Sequence, residues 1–150
     1  MIGYGSIDRL QHVTVVASHS RVNTGIWVVN GWFKTLDNSI SNEELAGAVL
    51  EAFAKTRDGV GQEFVEGVKG RMRQIFNSVE VDSYAAYLEG LVSVNARREF
   101  PASSVELTPM QNLGPRRGLR FDLDQMVVVS PDAGLNDLGA SIRVALDRAS

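Results

Sequence analysis

The chain has 150 residues, 44% apolar and 22% charged, a balance that excludes a disordered or fibrous protein and suits one globular domain. It has no cysteine, which rules out disulfides, thiolate catalysis and cysteine-based zinc sites and fits a reducing cytoplasm. The net charge of −3 is unlike that of the basic domains that wrap nucleic acid, and no stretch reaches the roughly eighteen apolar residues of a membrane span. No N-terminal segment carries the basic and apolar runs of a signal peptide, so a cytoplasmic location is expected.

His12 to Ser18 and Ile26 to Val29 are rich in β-branched residues, and Asn30-Gly31 joins the second run to Trp32 through Leu36. Asn-Gly tolerates the positive φ that a two-residue type I′ turn requires at both positions, so a tight hairpin is expected. Trp27 and Trp32 flank that turn, and cross-strand packing is the favoured reading for them. Tryptophan is also enriched among binding hot spots, so interface anchoring is the other.

Ser41 with Glu44 three residues later forms a capping box. Leu45, Ala48, Val49, Ala52 and Phe53 then trace one apolar helical face, which predicts a helix from about Asn42 to Arg57. Acids in its first turn, with Lys55 and Arg57 in its last, complement the helix dipole. Asp58-Gly59-Val60-Gly61 reads as a break. Gln62 to Ile75 is ambiguous, because Gly67 and Gly70 interrupt helix-compatible residues. Val81, Tyr84, Ala85 and Leu88 share a face and predict a helix within Ser78 to Gly90, with Asp82 or Ser78 as its cap.

From Val92 the period shortens to two: Val92 and Val94 alternate with Ser93 and Asn95, and Val105 and Leu107 with Glu106 and Thr108. Pro109 is expected at or just beyond a strand end, since it cannot donate to the ladder. Met110 to Arg117 reads as a turn or loop. Gly118 to Asp122 and Met126 to Val129 complete an antiparallel series, which Ser130 to Gly134 breaks. A helix from about Asn136 to Ala149 then echoes the first one about ninety positions on: Leu138 for Leu45, Ile142 for Val49, Ala145 for Ala52 and Leu146 for Phe53. Two such copies are too few for a solenoid. Two matching apolar faces, each following a strand-rich segment, are most simply buried on one sheet. The expected fold is therefore α/β (α+β), a single domain over residues 1–150 with a largely antiparallel sheet packed by two or three helices.

Four blocks carry a family resemblance: Leu36-Asp37-Asn38-Ser39-Ile40-Ser41-Asn42-Glu43-Glu44-Leu45 continuing to Phe53; Ser83-Tyr84, Tyr87 and Ser93-Val94; Val105-Glu106-Leu107-Thr108-Pro109 with Asn112; and the Leu138-Gly139 helix after Val127-Val128-Val129. Through these blocks, over roughly Trp27 to the C-terminus, the chain resembles the immunity proteins of bacterial contact-dependent growth inhibition systems. The resemblance implies a protein that binds the cognate C-terminal toxin domain of a cell-surface effector and blocks its active site. It implies no enzymatic chemistry, no cofactor and no direct contact with nucleic acid or membrane. Such toxins are often nucleases with basic substrate surfaces, which an acidic immunity surface can engage by imitating the phosphate backbone.

The acids that could do this are concentrated between Asp37 and Glu66, where seven stand against Lys55 and Arg57. Asp37, Glu51, Asp58, Glu63 and Glu66 are the candidate toxin contacts, because capping already accounts for Glu44. A solvated helix face is the other reading of the same stretch. No catalytic or metal site is expected. His12 and His19 lack carboxylates at ligand spacing and are expected on the surface or in loops. Ser18-His19-Ser20 does not make a nucleophile and base, because neighbours on an extended chain point to opposite faces. Gly3-Tyr4-Gly5 lacks the rest of a dinucleotide loop, and Arg97-Arg98 and Arg116-Arg117 read as solvated strand ends, with a basic nucleic-acid-binding edge as the other reading. The rival to immunity is a small enzyme or metabolite-binding domain, which requires a pocket between sheet and helices holding convergent polar groups.

Overall fold

A computed structural model describes residues 1–150. Its strands are β1 (Gly3–Arg9), β2 (Val13–Val22), β3 (Trp27–Asp37), β4 (Asp58–Val60), β5 (Val92–Arg98), β6 (Val105–Asn112), β7 (Leu119–Phe121) and β8 (Val127–Val129). The helices are α1 (Asn42–Ala54), α2 (Glu63–Glu66), α3 (Val68–Ser78), α4 (Tyr84–Leu88) and α5 (Leu135–Arg148). The strands form one sheet in the order β3-β2-β1-β5-β6-β7, with β4 added on β2 and β8 on β6. Every pairing is antiparallel except that of β4 with β2. The expected α+β architecture with a largely antiparallel sheet is the one that forms.

The two echo helices lie together on one face of that sheet. Leu45, Val49, Ala52 and Phe53 of α1 and Leu138, Ile142, Ala145 and Leu146 of α5 are all buried, and they share a single apolar cluster with Ile7, Val16, Val94, Ala96 and Leu107 from the sheet. Ser41 caps α1 by accepting from the Glu44 N–H at 3.1 Å. The helix ends at Ala54, so Lys55 and Arg57 lie beyond its last turn instead of within it. Arg143 fastens α5 to the loop before α1: its Nε donates to Asn42 Oδ1 at 2.7 Å, and its other nitrogens reach the carbonyls of Asn38 and Ile40.

The opposite face carries a second cluster, in which Ile75 of α3 and Tyr87 and Leu88 of α4 pack on Val15 and Ala17. These helices divide the ambiguous middle segment differently from the expectation. Ser78 ends α3 instead of opening a helix, and Ser83, not Asp82, caps the short α4 through the Ala86 N–H at 3.1 Å.

Three strand expectations are corrected. Asn30-Gly31 is no hairpin turn: it lies inside β3, and the chain reverses instead between Val22 and Trp27. Register runs from Ala17↔Phe33 to His19↔Val29, so β3 bulges by two residues opposite Ser18, with Gly31 at φ 99°. Trp27 and Trp32 therefore share one strand and cannot pair across a turn. Pro109 is likewise internal to β6. It falls between the residues that pair with β8 (Val105 to Leu107) and those that pair with β7 (Met110 to Asn112), and its pairing with Val94 is the last with β5, so the missing N–H leaves no ladder bond broken. Met110 to Asn112, read as loop, is consequently strand. Finally, β1 was not anticipated at all, yet it lies between β2 and β5 near the middle of the sheet.

Candidate functional site

The five acidic candidates are all exposed, but they differ in what holds them. Asp37 closes a turn by accepting from the Ser39 N–H at 2.8 Å and Oγ at 2.6 Å, which holds its carboxyl below the usual range. Glu51 faces Lys34 at 3.6 Å. Asp58 accepts two bonds from Arg21, at 2.8 and 2.5 Å, and that guanidinium lowers its carboxyl too. Asp37, Glu63 and Glu66 have no ion-pair partner within the chain, and of these only Glu63 and Glu66, on α2, are also free of the hydrogen bonds that hold Asp37.

The other feature is a cleft of about 750 Å³ between the sheet and α3–α4. Trp27 and Val29 of β3 form one wall, and Met72 and Phe76 of α3 with Tyr84 of α4 form the other. Trp27 is fixed by stacking on Tyr4, with centroids 4.2 Å apart and rings 9° from parallel. Lys69, Arg73 and Asp82 stand among the lining residues. The cleft adjoins an inner chamber of about 190 Å³, and both are lined by His19, Val29, Met72 and Tyr84.

One wall of this largely apolar chamber is polar because of strand alternation. Tyr4, Ser6 and Asp8 alternate with Ile7 and the glycines of β1, so they share the face turned away from α1. His19 of β2 meets them there, Nε2 3.0 Å from Ser6 Oγ. Asp8 accepts from Tyr87 O–H at 2.7 Å and from Ser93 O–H at 2.6 Å. Burial pushes the Asp8 carboxyl up against the pull of those two bonds, and burial with the nearby Asp8 also raises the Tyr87 phenol. His19 is thus a strand residue at the cleft floor, not the surface or loop residue expected. His12 is exposed between β1 and β2. Ser18 and Ser20 do point away from His19, as strand geometry requires, and the Ser18 hydroxyl donates to the Ala52 carbonyl at 2.7 Å.

Burial lowers the His19 imidazole from 6.5 to about 4. Between these values the unfolded chain binds the extra proton, so stability rises with pH across that window and is lost as pH falls through it, by up to about 3 kcal/mol. Asp8 acts in the opposite sense, since its raised carboxyl makes the folded chain the proton binder. Comparing urea unfolding of wild type and His19→Gln between about pH 6.5 and 4 isolates the histidine: the variant is expected to lose less stability on acidification. Parallel curves would show that His19 titrates normally.

Sequence reading named Trp27, His19 and Tyr87 but missed Ser6 and Asp8. The available signal was Tyr4-x-Ser6-x-Asp8 alternating with Gly3, Gly5 and Ile7, a period of two hidden by glycines. Ser93 and Asn95 were seen as the polar side of β5, and that polar side is what faces the chamber.

No family model and no curated protein sequence matches the chain. Its fold is that of an α+β class in which a mixed, largely antiparallel sheet is covered by helices on both faces, and solved structures share it from end to end. A protein of unknown function, NMB0488, from Neisseria meningitidis superposes with a TM-score of 0.85 at 16% identity, covering 100% of this chain and 96% of that one. A chain of the CdiA-CT/CdiI toxin and immunity complex from Yersinia pseudotuberculosis superposes with a TM-score of 0.82 at 13% identity, covering 100% and 98%. At these identities the likeness is one of fold. No helix is long and apolar enough to cross a membrane.

Proposed function

We propose that this is an immunity protein, which binds the C-terminal toxin domain of a contact-dependent growth inhibition effector and neutralises it by stoichiometric occlusion of the active site. The observation that carries this reading is the end-to-end likeness of fold to a chain of a toxin and immunity complex. Inhibition by occlusion asks for a shaped, charged surface and no bond making. The toxin in this reading is a nuclease, whose basic substrate surface meets carboxylates placed as phosphates would be. Charge complementarity of that kind also accelerates encounter, which favours a protein that must reach an incoming enzyme before its substrate does.

Asp37, Glu51, Asp58, Glu63 and Glu66 remain the proposed contacts, and Glu63 and Glu66 lead them because neither is engaged by a basic group, as Glu51 and Asp58 are, or by a turn, as Asp37 is. Charge reversal at both, Glu63→Lys with Glu66→Lys, is expected to slow association with the toxin domain the proposal expects beside this gene by about tenfold at low salt and to flatten its salt dependence. Circular dichroism should be unchanged, since both side chains are exposed. Unaltered association kinetics would place the interface on another surface. A second reading, a domain that binds a small molecule, is favoured by one observation: the cleft ends in a chamber of convergent polar groups.

A further inference from the structure

Asp8 is the one acidic residue lining the inner chamber, and no lysine or arginine lines it. Its two oxygens each accept one hydroxyl bond, from Tyr87 and Ser93, which leaves lone pairs on both and the charge itself unmatched. Asp8 is partly buried, and that burial pushes its carboxyl up toward the neutral form, a cost that an opposite charge beside it would relieve. The other titratable groups facing the chamber are His19, Tyr84 and Tyr87, and none supplies that charge, since burial keeps the imidazole neutral at neutral pH. Two of them, Tyr84 and Tyr87, present aromatic rings, whose negative faces attract cations. Outside the chamber the cleft continues as a slot with Trp27 and Val29 on one side and Met72 and Phe76 on the other, Lys69, Arg73 and Asp82 also standing on its lining, within the size range of small-molecule sites.

We propose that this cleft binds an amphipathic organic amine, its ammonium group in the chamber against Asp8 and the Tyr84 and Tyr87 rings, its apolar body between Trp27, Met72 and Phe76. The ammonium supplies the missing counter-charge and donates to the free lone pairs of Asp8. Ser6, held by His19 at 3.0 Å, stands in the same chamber as a second acceptor. The tail displaces water from the slot. This site deepens the small-molecule reading and does not depend on toxin binding.

The test is calorimetric titration of the full chain with 2-phenylethylamine, 2-phenylethanol and 3-phenylpropionate, which share a ring and differ in the charge at the end of the tail. The amine is expected to bind saturably at one site per chain, with the alcohol and the acid weaker by at least tenfold. Asp8→Asn is expected to weaken amine binding at least tenfold. Because that change also touches the Tyr87 and Ser93 bonds, Tyr84→Leu is the second variant: it keeps apolar bulk on a partly exposed residue, removes the aromatic face, and is expected to weaken the amine several-fold. Three results overturn the proposal: no saturable binding of the amine, equal or tighter binding of the alcohol or the acid, or amine affinity unchanged in both variants. None of these bears on whether the toxin is bound.

Discussion

Gly139→Ala is expected to destabilise the protein by about 3 kcal/mol, while Gly47→Ala, in the other echo helix, is expected to stabilise it by about 0.5–1 kcal/mol. The opposite signs follow from what each new methyl would meet. A Cβ on Gly139 would stand 2.1 Å from the Asn42 carbonyl oxygen and 2.6 Å from the Asn42 Cα, both backbone atoms of the first residue of α1. Backbone cannot swing aside as a side-chain tip can, so α5 would have to back away from α1. That movement would open the seam in which Leu138 and Ile142 pack with Leu45 and Val49, and would pull Arg143 from Asn42 and the Ile40 carbonyl. Gly47, on α1, has nothing within 4 Å of its Cβ position, and there alanine simply restores helix propensity. Urea unfolding of the two variants reads both values, and a tolerated Gly139→Ala would mean that α1 and α5 do not approach this closely.

Asn30→Ala and Asn30→Gly are each expected to cost about 3 kcal/mol. The two Asn30 Nδ2 hydrogens are shared among Ser18 Oγ at 2.8 Å, Ser20 Oγ at 3.0 Å and the Lys55 carbonyl at 3.0 Å, while its Oδ1 accepts from the Trp32 N–H at 3.1 Å. Ser18 and Ser20 are fully buried, and both are bound in turn to α1 and its exit, Ser18 through the Ala52 carbonyl and Ser20 through the Arg57 N–H. One amide thus joins β2, the β3 bulge and the end of α1 in a network from which water is largely excluded, where a lost partner leaves polar groups unsatisfied. The glycine variant separates this account from a hairpin turn. In a type I′ turn Asn→Gly is nearly neutral, because φ is all that matters there; here it is as damaging as alanine. Equilibrium unfolding with an unchanged m-value would record the loss, and a neutral Asn30→Gly would contradict it.

The same residues show why some of the fold could be read and some could not. The echo helices were legible because helical periodicity is written in apolar side chains, and all eight matched positions are buried where α1 and α5 meet the sheet. Strand β1 was illegible because it is built for close approach instead of for β propensity. A Cβ on Gly3 would fall 2.6 Å from the Phe53 side chain, and one on Gly5 2.8 Å from the Ala17 carbonyl, so glycines stand where β-branched residues would have announced a strand. Asn30-Gly31 misled because turn and bulge both call for positive φ at the glycine, and only tertiary contacts decide between them.

The candidate site followed the same division. Acidic residues are countable in a sequence, but which of them remain free is a matter of partners from distant segments: Lys34 for Glu51 and Arg21 for Asp58. Arg143 is a charged residue of the second echo helix whose role is not legible from the sequence. Its bonds to Asn42 and the loop before α1 make it structural. The chamber's polar wall went unseen with β1, because its carboxylate and its serine stand on that strand.

The proposed immunity function is tested most directly in cells that express the toxin domain the proposal expects beside this gene, with and without this protein. Survival of the cells that carry it, together with recovery of an equimolar complex of the two chains, is the result expected. Growth arrest despite accumulation of folded protein, with no complex recovered, would contradict it.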